Sequence, residues 1–111
     1  MNGIPTVSVD QVPSPLPEGV RLVDVREPVE WAHGRAPEAV HVPMSQFVER
    51  IGELPADEQL LVVCKVGGRS AQVVAYLVQN GYDAVNVEGG MLDWEAAGRP
   101  MVADSGDPVV F

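Results

Sequence analysis

A chain of 111 residues with 46% hydrophobic content can bury one core but not two, so a single domain over residues 1–111 is expected. A net charge of -9, with only seven Lys and Arg, leaves no basic patch of the kind that nucleic acid or an anionic membrane would need, and neither is expected as a partner. The single cysteine rules out an internal disulfide. With no basic, apolar leader in Met1-Asn2-Gly3-Ile4-Pro5 and no apolar run of membrane-spanning length, it makes the cytoplasm the expected compartment.

Val7-Ser8-Val9 reads as a short edge strand, and Val12 to Gly19 as a proline-rich connection. Such a segment can dock a partner as an extended helix, but without any repeat a stiff surface loop is the better expectation. Leu22 to Val25 then reads as a strand that places Asp24 and Arg26 at its carboxyl end. Those two either border a site or serve structure, with Arg26 paired to Glu30 or Glu27 and Asp24 bonded to loop backbone. Pro28 to His33 has proline in its first turn and Gly34 at its end, which predicts a short helix. Between Pro43 and Pro55, Met44, Phe47, Val48, Ile51 and Leu54 recur at helical spacing and predict an amphipathic helix packed on the sheet.

Leu60-Leu61-Val62-Val63 is a continuous apolar run, as a strand buried on both faces of a parallel sheet requires. Cys64 ends it. Arg69 to Asn80 carries Val73, Val74, Leu77 and Val78 at helical spacing, with Gly81 placed to stop the helix. Ala84 to Val87 predicts another strand, and Met91 to Ala97 a last helix closed by Gly98. Strands alternating with helices imply an α/β fold, a central mainly parallel sheet flanked by helices. Residues 102–111 read as a flexible tail beyond a core of about 7–101. Within it, Val109-Val110-Phe111 is an apolar end able to dock on the body or on a neighbour.

The chemistry is expected in the loop Cys64-Lys65-Val66-Gly67-Gly68-Arg69, followed by Ser70. Backbone N–H groups in such a loop and in the first helical turn lack intrahelical partners and can converge on an anion. Gly67 and Gly68 permit close approach, and Lys65 and Arg69 add positive charge, so a depressed thiol pKa and a nucleophilic thiolate are expected at Cys64. The plainer reading is an inert core thiol, which the flanking glycines and cations argue against. His33 and His41 sit in no pattern that fixes them beside Cys64, and surface or loop-packing roles are expected for both. One cysteine and two scattered histidines make no zinc site, so neither metal nor other cofactor is expected.

The pattern C-x-x-G-x-R met by Cys64, Gly67 and Arg69 resembles the active loop of single-domain rhodaneses. Leu22 to Pro28 with Glu30-Trp31 and Gly34 resembles that family's amino-terminal signature. His41-Val42-Pro43 resembles its asparagine, aliphatic, proline step, and Val87-Glu88-Gly89-Gly90 with Trp94, Gly98 and Pro100 its carboxy-terminal signature. Where the family usually has Gly-His-Ile-Pro-Gly-Ala, this chain reads Gly34-Arg35-Ala36-Pro37-Glu38-Ala39. The resemblance implies a rhodanese-like fold and a sulfurtransferase. Its Cys64 would take sulfane sulfur from a small anionic donor such as thiosulfate and pass it, as a persulfide, to cyanide, a small thiol or a protein. Asp24, Arg26 and Ser70 would support the loop.

Two other readings compete. A cysteine-based phosphatase also uses a glycine-rich loop ending in arginine, but one residue longer than the four, Lys65 to Gly68, found here. A partner-binding or sulfur-carrier module without enzymatic turnover is the other, and the intact cysteine weighs against a purely binding role.

Overall fold

The computed structural model describes residues 3–111, so Met1 and Asn2 of the expected domain lie outside the described residues. Five strands form one parallel sheet in the order β1-β5-β4-β2-β3: β1 Thr6–Ser8, β2 Val20–Asp24, β3 Val40–His41, β4 Gln59–Val63 and β5 Asp83–Glu88. The helices are α1 Pro28–His33, α2 Phe47–Arg50, α3 Gly68–Gln79 and α4 Gly90–Ala96. β1 takes the edge position expected of it. The two-residue β3, at the opposite edge, is too short to leave a periodic signal.

Alternation along the central strands splits the core into two layers. Val23, Leu60, Val62 and Ala84 face α2 and α3 together with Phe47, Val73, Val74 and Leu77. Leu22, Leu61, Val63, Val85 and Val87 face α4 and the amino-terminal connection together with Met91, Trp94 and Val12. Helices therefore cover both faces, which is why β4 is apolar from Leu60 to Val63.

The 43–55 segment departs from its expectation. Instead of one helix it folds as the 3-10 turn Met44–Gln46, the four-residue α2, and the 3-10 turn Ile51–Glu53. Met44 with Phe47, and Ile51 with Leu54, stand three residues apart, the spacing at which 3-10 turns align side chains. Phe47 and Leu54 are buried, whereas Val48 is 66% exposed. In α3 the buried stripe is Val73, Val74 and Leu77, and Val78 is left outside it.

The segment read as a flexible tail is tied to the body. Arg35 and Val102 exchange backbone hydrogen bonds at 2.9 Å each, the Asp104 amide donates to Ala32 O, and the Val109 amide to His33 O. Val110 is buried, its amide donating to the Glu95 carboxylate, and Phe111 meets the His33 ring edge-on at 4.6 Å. The proline-rich connection is held as well, because the Arg99 guanidinium lies over Trp94 and donates to the carbonyls of Val9 and Val12. Among the described residues no helix is long and apolar enough to cross a membrane.

Candidate active site

β4 is flanked by β2 and β5, and the register pairs Asp24 with Val63. Three strands thus end together and deliver Cys64, the Asp24–Arg26 turn and Glu88 to one edge of the sheet, where parallel sheets offer their ligand crevice. Gly67 caps α3 with φ +114°, a left-handed conformation that glycine takes without strain. That turn folds the loop back over the sulfur.

Cys64 Sγ accepts the Gly67 amide at 3.1 Å and lies 3.3 Å from Ser70 Oγ. Burial pushes the thiol pKa up. The Ser70 hydroxyl and the amides of Ser70, Gly67 and Val66 more than offset this, and the net direction is down from the ordinary thiol value. The loop is braced from below by α4, whose first free amides are consumed by it: Met91 N–H donates to Cys64 O at 2.8 Å and Leu92 N–H to Lys65 O at 3.0 Å. Gly90 permits this contact, since any Cβ there would collide with the Cys64 and Lys65 carbonyls. Only 1% of Cys64 is accessible, while Val66 at the tip of the loop is 58% exposed.

The expected cationic setting is built differently from the sequence reading. Arg69 is bound in a two-pronged pair to Glu30 of α1, at 2.7 and 2.8 Å, which lowers the Glu30 pKa and raises that of Arg69. Lys65 is half-buried, and among the described residues no ion pair involves its ammonium. Hydrogen-bond donors, not free cations, therefore make the thiolate favourable.

Asp24 and Arg26 are wholly buried and pair with each other. Arg26 Nε and Nη2 both donate to the Asp24 carboxylate, and Nη2 also donates to Gly34 O at 2.7 Å. This corrects the expected pairing of Arg26 with Glu30 or Glu27, since Glu30 is committed to Arg69 and Glu27 caps α1. The expected bond from Asp24 to loop backbone is present, as its Oδ1 accepts the Arg26 amide at 3.0 Å. His41 lies flat on Trp31 at 4.4 Å and bonds Arg26 O at 2.6 Å, and His33 is exposed beside the tail. Neither histidine contacts the sulfur, and no acidic, His or Cys group among the described residues could hold a metal.

Sequence reasoning missed Asn86 and the pairing of Glu30 with Arg69. Glu30 carried a local signal, because it stands three residues after Glu27 with Pro28 between them, and its carboxylate accepts the Glu27 amide at 3.0 Å. Asn86 carried another, a lone amide in the apolar strand β5. Its side chain accepts the Ser70 hydroxyl at 2.6 Å.

Comparison with known proteins agrees with this architecture. Residues 8–97 match the family model described as Rhodanese-like domain. A protein named Sulfurtransferase from Allochromatium vinosum is 43% identical over 90 residues, covering 80% of this chain and 84% of that protein. The Putative sulfurtransferase YtwF of Bacillus subtilis is 42% identical over 83 residues, covering 75% and 81%. Among solved structures, a Rhodanese-like Domain Protein from Staphylococcus aureus superposes with a TM-score of 0.77 at 39% identity, covering 82% of this chain and 91% of that one.

Proposed function

The chain belongs to the rhodanese-like family, and from that premise we propose that it transfers sulfane sulfur through a persulfide on Cys64. In the first half-reaction the Cys64 thiolate attacks the outer sulfur of an anionic donor such as thiosulfate. A new S–S bond forms, the donor's S–S bond breaks, and sulfite leaves with the electron pair. In the second half-reaction an acceptor, cyanide or a thiolate, attacks the outer persulfide sulfur and restores the Cys64 thiolate. Val66, Gly67 and Ser70 supply N–H groups to the negative sulfur in both states, with the Ser70 hydroxyl beside them.

The observation that carries this reading is the pair of contacts on the buried Sγ at the strand ends, the Gly67 amide at 3.1 Å and Ser70 Oγ at 3.3 Å. Relatives named as sulfurtransferases support it. A cytoplasmic, reducing setting suits a free reactive thiol.

Intact-protein mass after incubation with thiosulfate tests the proposal, with Cys64→Ser as control and cyanide or a small thiol added afterwards. A gain of one sulfur atom that requires Cys64 and is removed by the acceptor is expected. Absence of that gain with both thiosulfate and a persulfide donor would sink the reading.

A further inference from the structure

Asn86 lies mid-strand in β5, on the face that otherwise carries apolar side chains such as Ala84, and is 7% exposed. A buried amide there is unfavourable unless its polar atoms are satisfied. They are satisfied by the active loop alone: Ser70 Oγ donates to Asn86 Oδ1 at 2.6 Å, and Asn86 Nδ2 faces Gly67 O at 3.5 Å. The Gly67 carbonyl fixes the amide's orientation, because the flipped amide would set two acceptor oxygens against each other.

Ser70 has one hydroxyl proton and two claimants. While the hydroxyl donates to Asn86 Oδ1, it can only accept from Cys64, so the sulfur in this arrangement carries its own proton as a thiol. When that proton leaves for solvent, the hydroxyl must turn to donate to the thiolate, and Asn86 Oδ1 loses its donor.

We propose that Asn86 is a positioning residue that holds Cys64 toward its thiol form by competing, through its side-chain oxygen, for the single proton of the Ser70 hydroxyl. This deepens the sulfur-transfer reading, yet it concerns only the proton on Sγ and needs no sulfur donor to be tested. The charged groups around the sulfur are Lys65 in the loop, Arg69 of α3 held by Glu30 of α1, the Asp24–Arg26 pair after β2, Glu88 at the end of β5 and Asp93 in α4. None of them bonds the Asn86 side chain, so its removal leaves that charge arrangement in place.

The experiment is the pH dependence of Cys64 alkylation by iodoacetamide in wild type, Asn86→Leu, Asn86→Asp, Ser70→Ala and the two double variants. With the competing acceptor gone, Asn86→Leu is expected to lower the alkylation midpoint by about 0.5–1 pH unit, the scale of one net hydrogen bond. In the Ser70→Ala background the same substitution should produce no shift. A midpoint that stays or rises in Asn86→Leu, or an equal drop without Ser70, overturns the proposal. Should Asn86→Leu not fold, the near-isosteric Asn86→Asp decides: a rise in midpoint that requires Ser70 supports competition for the hydroxyl proton, and a rise that persists in Ser70→Ala reflects bare charge and overturns it.

Discussion

Two buried polar clusters meet at the same edge of the sheet and are built on opposite principles. The Asp24–Arg26 pair is a salt bridge, wholly buried and bonded through Nε, Nη2 and the backbone amide, with Nη1 alone lacking a partner. The Cys64–Ser70–Asn86 chain has no permanent charge and fewer mobile protons than acceptors for them. A charge pair of the first kind has one good arrangement and can only be kept or broken. In the second, one hydroxyl proton stands between two acceptors, the Asn86 oxygen and the Cys64 sulfur, so its arrangement can follow the protonation of the sulfur.

The largest expected effect falls on the second cluster. Cys64→Ser should abolish sulfur loading from thiosulfate while leaving the cooperative unfolding transition in place, as intact mass and urea denaturation would show. Residual loading would place the chemistry elsewhere.

Asp24→Asn should break the first cluster by leaving the Arg26 guanidinium buried without a counter-ion. A loss of about 3–5 kcal/mol in unfolding free energy is expected, with the remaining folded protein still loading sulfur. If loading vanishes while the stability is unchanged, the pair acts in the chemistry and the contrast between the clusters fails.

Ser70→Ala removes one donor to the thiolate without touching either salt bridge. The alkylation midpoint should move up, and the rate at neutral pH should fall about tenfold, a size set by one hydrogen bond to a charged sulfur. An unmoved midpoint would mean that the loop amides alone hold the thiolate.

Glu30→Gln tests the cation that the loop keeps neutralised. Gln retains an oxygen for the Glu27 amide, so the cap of α1 survives, while the charge of Arg69 at the rim is no longer offset by a carboxylate. The KM for thiosulfate should fall about two- to fivefold at low salt, and the gain should shrink as salt is added. A salt-independent change would point to altered loop shape instead.

The same contrast shows what sequence can reveal. Strand β4, the loop and α3 are contiguous, so an apolar run, a cysteine, two glycines and a helical stripe identify the nucleophile's setting without any long-range knowledge. Pro28 and Gly34 likewise bracket α1 at its observed bounds. What stayed hidden joins residues far apart: Glu30 with Arg69 and Ser70 with Asn86. Arg69 beside Cys64 looks like a free cation until a carboxylate from α1 closes on it. The 43–55 segment misleads for a local reason, since spacings of three and four look alike over so few residues. The tail misleads because its Asp, Ser and Gly content resembles a loop, while only the fold shows Val110 buried and Val102 bonded to Arg35.

The smallest effect follows from linkage. The folded thiol pKa lies below its ordinary value of 9.0, so the folded chain binds fewer protons on sulfur than the unfolded chain between the two values. Stability attributable to the thiolate is therefore fully present above the unfolded pKa and is lost as pH falls through the folded one. The difference in unfolding free energy between wild type and Cys64→Ser should rise with pH up to about 9 and then level off, with a slope no steeper than about 1.4 kcal/mol per pH unit. Groups that titrate identically in both proteins cancel in that difference, and only Cys64 remains. A flat difference would mean that burial and the donor hydrogen bonds balance and that the folded loop does not favour the thiolate over the unfolded chain. A falling difference would mean that burial dominates, and Cys64 would then resemble the Asp24–Arg26 cluster in serving the fold.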